Sequence, residues 1–167
     1  MTAKKLHIFG SERAQTMVEF ALVFPIVLLI TYGIIEFGRM VFIYAAVTGA
    51  AREGARYGAA SGTISGTRFY KDCPGIRTAT KRGAILIPIN DADITIWYDN
   101  GPSPTSTWTG CPPVGSNSLD PILLGDRIVV QVDVDYQPIM GSFLGVNGFH
   151  ITSQNARTIL LNVEMSH

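Results

Sequence analysis

The chain has 167 residues, 13 basic and 13 acidic groups and a formal net charge of zero. That balance excludes a global field able to draw in nucleic acid. Charged residues are only 16% and the mean hydropathy is positive, a composition low in charge for a soluble domain, and the length suits one membrane-anchored domain.

Lys4, Lys5 and Arg13 precede a long apolar run. Glu19 stands at the start of that run, where a carboxylate costs on the order of 2.5–3.5 kcal/mol at the bilayer centre and less near the interface. A segment that serves only as an anchor has no use for such a charge. The uncharged stretch Phe20–Ile35 gives about 24 Å of helix, a little short of a ~30 Å hydrocarbon core. Apolar residues continue from Phe37 to Val47 around Arg39, whose long side chain can snorkel. The basic leader keeps the N-terminus cytoplasmic and leaves the remainder on the far side of the membrane.

The helical pattern continues past the membrane run. Phe37, Val41, Tyr44, Thr48, Ala51 and Ala55 recur at spacings of three and four. Beside them Ala46, Ala50, Gly54 and Gly58 form a ridge of small residues that lets another backbone approach. The ridge fits subunit packing and packing on the chain's own sheet equally well. One helix from about Thr16 to Ala60, roughly 65 Å long, is expected, with a kink at Pro25.

Residues 61–72 read as a Gly/Ser/Thr linker and Pro74 to about Leu86 as a second helix. Ile94, Ile96 and Tyr98 alternate with Thr95 and Trp97, which predicts a strand. Asp99 to Asp126 is rich in Pro, Gly, Ser and Thr and reads as a long loop. Val130, Val132, Val134 and Tyr136 alternate with Gln131, Asp133 and Asp135, the pattern of a half-buried strand. His150 to Val163 reads as its partner. The fold class is therefore α+β: a long N-terminal helix packed on a small head with an antiparallel sheet of three or four strands.

Arg13-Ala14-Gln15-Thr16-Met17-Val18-Glu19-Phe20 and the apolar helix with Pro25 resemble the start of a type IV prepilin. More narrowly they resemble the TadE-like pseudopilins of the tight-adherence (Flp) pilus machinery. Tyr32-Gly33-Ile34-Ile35-Glu36-Phe37-Gly38-Arg39 and Ala50-Ala51-Arg52-Glu53-Gly54-Ala55-Arg56 extend the likeness, which is specific over residues 13–58. It implies a leader, residues 1–14, cut between Ala14 and Gln15 by a prepilin peptidase, with Glu19 fifth after the cut. The family's usual residue before the cut is Gly; here it is Ala14. It further implies a helix over 15–60, membrane-spanning in its first half, and an extracytoplasmic head over 61–167. Loss of the leader removes Lys4, Lys5, Arg13 and Glu12 and leaves a net charge of −2. Glu19 and Phe20 are the residues implicated in processing and assembly, Glu19 by pairing with the new α-amino group of its own or a neighbouring chain. The implied partners are the peptidase, other minor pilins, the major Flp pilin, the inner-membrane assembly platform and membrane lipid.

Other constellations carry less. Cys73 and Cys111 are the only cysteines, and both fall in the exported part. An oxidising compartment favours a disulfide between them, with two independent small side chains as the plain alternative. Glu36 with Arg39, and Glu53 with Arg56, have the spacing of solvated helix pairs. Asp91, Asp93, Asp99, Asp120, Asp126, Asp133 and Asp135 match no calcium loop, and His7, His150 and His167 no zinc spacing. Trp97 reads as core and Trp108, in the polar loop, as an exposed contact residue. No catalytic elbow, phosphate loop or cofactor motif is present, so an enzyme is not expected. The rival to a pilin is an uncleaved single-pass protein with an extracytoplasmic binding domain; a secreted binding module ranks below it, because Glu36 and Arg39 spoil a signal-peptide core.

Overall fold

In a computed structural model the chain is α+β, with residues 12–85, 87–113, 120–141 and 145–160 described. Helix α1 runs from Glu12 to Gly58, continuous through Pro25. Strands β1 (Thr63–Ile64) and β2 (Thr67–Arg68) form a short antiparallel hairpin. After a 3-10 turn at Phe69–Lys71 comes α2 (Cys73–Gly83). A four-stranded antiparallel sheet of order β4-β3-β5-β6 follows, built from β3 (Ile94–Asp99), β4 (Thr107–Thr109), β5 (Arg127–Tyr136) and β6 (Phe149–Thr158). The chain divides into two compact units, Met1–Arg39 and Met40–His167.

In the first unit, Gln15 to Ile30 is solvent-exposed throughout. A helix apolar on all sides belongs in an apolar environment, a membrane or the interior of an assembly. Among the described residues α1 is the one helix long and apolar enough to cross a membrane, which is consistent with a single-pass anchor.

In the second unit the end of α1 packs on the sheet. Val47, Ala50, Ala51 and Ala55 are fully buried, joined by the partly buried Met40 and Ile43. Facing them is one side of the sheet: Ile94, Ile96 and Tyr98 of β3, Ile128, Val130, Val132 and Tyr136 of β5, and Ile151 of β6. The period-2 alternation of β3 and β5 puts these residues on one face. The expected stripe holds only at its end: Ala51 and Ala55 are fully buried and Thr48 is half-buried, but Phe37, Val41 and Tyr44 are exposed, and the core is met there by Ile43 and Val47 instead. Aromatic bulk would hold the helix off the sheet, whereas small residues let it approach.

Further expectations change. Residues 61–72 hold the β1–β2 hairpin and a 3-10 turn, where a linker was expected. The long loop contains β4, which pairs Trp108 with Tyr98. Trp108 consequently packs on the core, while Trp97 points to the opposite face and is only half-buried. Helix α2 ends at Gly83, short of the expected end near Leu86, which lies outside the described residues; a Cβ on Gly83 would lie 2.8 Å from Ala50 Cα. The partner strand β6 ends at Thr158, and residues 161–163 of the expected strand lie outside the described residues.

Candidate functional site

The candidate site is the first turns of α1. Gln15, Val18, Glu19 and Leu22 share one helix face and line a shallow open groove. The i, i+4 spacing puts Gln15 and Glu19 one turn apart, about 5–6 Å between Cβ atoms. A cut before Gln15 would therefore place a new amino group within reach of the Glu19 carboxylate. Phe20 stacks on Phe24 with ring centroids 5.2 Å apart, stiffening the next turn. The backbone at Ala14 is helical. Residues 1–11 of the expected leader, including His7, lie outside the described residues, as does His167.

Further along the same unit Arg39 donates to Glu36 at 3.0 Å. In the second unit Arg56 and Glu53 form a partly exposed pair at 2.6 Å. These are the expected helix pairs, worth a few tenths of a kcal/mol each in water.

The ridge of small residues resolves onto the chain itself. A Cβ on Gly54 would lie 2.1 Å from Thr80 Oγ1 and 3.2 Å from Val130 Cγ1. One on Gly58 would lie 2.4 Å from Ile128 Cδ1. Ala50 is fully buried and Ala46 half-buried. Gly54 and Gly58 thus seat α1 against α2 and β5, whereas Gly33 and Gly38 in the first unit face open space.

Cys73 and Cys111 are joined, Cα–Cα 5.7 Å, across a sequence separation of 38. The bond ties the first residue of α2 to the loop after β4. Around it lies a polar cluster that the sequence did not disclose. Tyr98 donates its hydroxyl to the Tyr70 carbonyl and lies 3.3 Å from Cys111 Sγ. Tyr70 donates to Asp120, which also pairs with Lys71 at 2.8 Å. Burial, then the bond to Asp120, pushes the Tyr70 phenol up to about 12, and burial pushes Tyr98 up as well. Burial acts to raise the Asp120 carboxyl too, but hydrogen bonds from Lys71, Tyr70 and the Ile122 N–H outweigh it and hold it below the usual range.

The remaining carboxylates have structural work. Arg127 grips buried Asp99 through two bonds of 2.7 and 2.8 Å and also donates to the Gly101 carbonyl, clamping one end of the β3–β5 pair. Asp126 accepts from the Leu123 N–H at 2.7 Å. Among the described residues no three of His, Cys, Asp or Glu come together to hold a metal.

Residues 14–56 match the family model described as TadE-like protein. Over this stretch the chain is similar to TadE-like proteins. The match starts at Ala14, includes Glu19 and runs to Arg56, covering most of α1 and stopping before the sheet. No curated protein and no solved structure matches the chain.

Proposed function

We propose that the chain is a minor pilin, or pseudopilin, of a tight-adherence pilus and that its role is structural, with no enzymatic activity. It is made with a cytoplasmic leader, inserted once into the cytoplasmic membrane with its head outside, and cut between Ala14 and Gln15 by a prepilin peptidase. The observation that carries this reading is the TadE-like match, which begins at the residue before the proposed cut and holds Glu19 one turn beyond it.

The mechanism follows from electrostatics in lipid. An uncompensated carboxylate in an apolar assembly is costly, and so is the ammonium created by cleavage. Together they neutralise each other; removing one strands the other at several kcal/mol. A helix bundle that joins the Gln15 amine of one chain to Glu19 of the next is therefore fixed in axial register. Other minor pilins, the major Flp pilin and the assembly platform are the partners such a helix would meet, and the head supplies the extracytoplasmic surface.

The test is Glu19→Ala in the native host. Its level in the membrane fraction should equal that of the wild type, because removing a charge does not hinder insertion, while pili should be lost. Normal piliation in that variant would reject the pairing role.

A further inference from the structure

The charges of the second unit are divided along the chain. From Met40 to Arg82, which holds the end of α1, the β1–β2 hairpin and most of α2, there are seven basic and two acidic residues. From Gly83 to Leu160, which holds the four-stranded sheet, there are two basic and seven acidic residues. The whole chain is neutral.

Packing turns this division in sequence into a division in space. The helices cover one side of the sheet, where Gly54 meets Thr80 and Val130, and Gly58 meets Ile128 and Ile76. Val47, Ala50, Ala51 and Ala55 take the sheet side of α1, so the helical period brings Arg52 and Arg56 out on its far side, and both are exposed. Arg82 is exposed at the end of α2. Arg56 pairs with Glu53, Lys71 with Asp120 and Lys81 with Asp91, while Asp72 accepts from Tyr57 and the Gly75 N–H. Arg52 and Arg82 have no acceptor among the described residues. Arg157 stands opposite Ile128 in the register, so this cation of β6 also falls on the helix side.

The far side of the sheet is the reverse. Strand alternation puts Trp97, Val129 and Ala156 in one row across it, then Thr95, Gln131 and Gln154, then Asp133 and Thr152, then Asp135 and His150. Arg127, on the same side, is held by Asp99. Asp133 accepts from Gln131 and Thr152, which bring no charge, and Asp135 is 68% exposed beside His150. The β6 residues on this side are all exposed, and half-buried Trp97 gives the face an apolar centre.

We infer that the far side of the sheet in one head docks on the helix side of the head of a second copy, Asp133 and Asp135 meeting Arg52 and Arg82. A second copy is the occupant because one chain supplies both faces, each with the charges the other lacks. The faces lie on opposite sides of one head, so the contact is heterologous. A docked copy leaves one face of each kind free, and further copies add in the same sense with the same orientation. Strands of ten residues, three abreast, give a face of about 33 Å by 14 Å, on the order of 450 Å² a side. A stable complex buries about 800 Å² per partner, so this contact is weak and fills where copies are crowded. The inference rests on the head alone, not on cleavage of the leader or on Glu19.

Sedimentation velocity of the full chain in mild non-ionic detergent, over a range of concentrations, tests it. Arg52→Gln with Arg82→Gln blanks the helix side, and these exposed side chains have no partner in their own head to lose. Asp133→Asn with Asp135→Asn blanks the sheet side and keeps an oxygen to accept from Gln131 and Thr152. At low salt the wild type should grow beyond pairs as its concentration rises, and at high salt it should fall back to the size of the variants. Each variant alone should not grow. An equal mixture of the two should form pairs and nothing larger, since each brings one intact face. Glu19→Ala should grow like the wild type, so the pairing in the membrane and the docking of heads fail independently. A wild type that does not grow at low salt, or variants that grow as it does, would overturn the inference. A mixture that forms no pairs would overturn docking between copies in favour of a different partner, and a mixture that grows beyond pairs would overturn the assignment of the two faces.

Discussion

Replacing Cys73 and Cys111 together by alanine should destabilise the head by about 4 kcal/mol, the loop-closure entropy of a bridge spanning 38 residues. The loss is large against the whole stability of a domain this size, about 5–15 kcal/mol. The bond holds more than two sulfurs: it fixes the loop after β4, and Tyr98 packs its hydroxyl between Cys111 and the Tyr70 carbonyl. Both tryptophans report on this region, since Trp97 lies on β3 and Trp108 on β4. Denaturant titration of the full chain in mild detergent, followed by tryptophan fluorescence, should show a markedly lower midpoint for the double variant and for the reduced wild type. An unchanged midpoint would mean that the bridge does not constrain the unfolded chain.

The second large effect is expected at Gly54. Its missing Cβ is the space occupied by Thr80 Oγ1, and Thr80 is fully buried with its hydroxyl donated to the Ile76 carbonyl at 2.8 Å. Thr80 and Val130 are both fully buried, so Gly54→Val should cost about 3 kcal/mol, the upper end of ordinary overpacking. Gly54→Ala gains up to about 1 kcal/mol in helix propensity and should still destabilise. Adding Thr80→Ala removes the clashing oxygen, so the double variant should be more stable than the sum of the single changes. Gly38→Ala, which meets nothing within 4 Å, should leave the head unchanged. A neutral or stabilising Gly54→Ala would show that α1 and α2 are not in close contact there.

These two sites show what could be read in advance. The long helix, β3 and β5 were legible because their burial follows the periods 3.6 and 2 through ten or more and six or more residues. The small-residue ridge was legible as a packing surface, but its occupant was not. Gly54 and Gly58 advertise close approach to something, and only the fold supplies Thr80, Val130 and Ile128. The first part of the α1 stripe was misread for a related reason: Phe37, Val41 and Tyr44 look like core by hydropathy yet are exposed, while Ala51 and Ala55 of the same stripe are buried. The hairpin of two-residue strands and β4, three residues at the sheet edge, were too short to show alternation. Trp108 looked exposed because its neighbours are polar, and it is the Tyr98 register that brings it onto the core. Glu19 stood out for the opposite reason, as a charge at odds with its apolar surroundings, and its role is the subject of the proposal above.

The central claim is that α1 becomes functional by being cut before Gln15. Intact mass and N-terminal sequencing of the protein purified from its native membrane test it most directly. A chain beginning at Gln15, with Glu19 fifth, is the predicted result. A chain retaining residues 1–14 would contradict prepilin processing and leave an anchored extracytoplasmic domain.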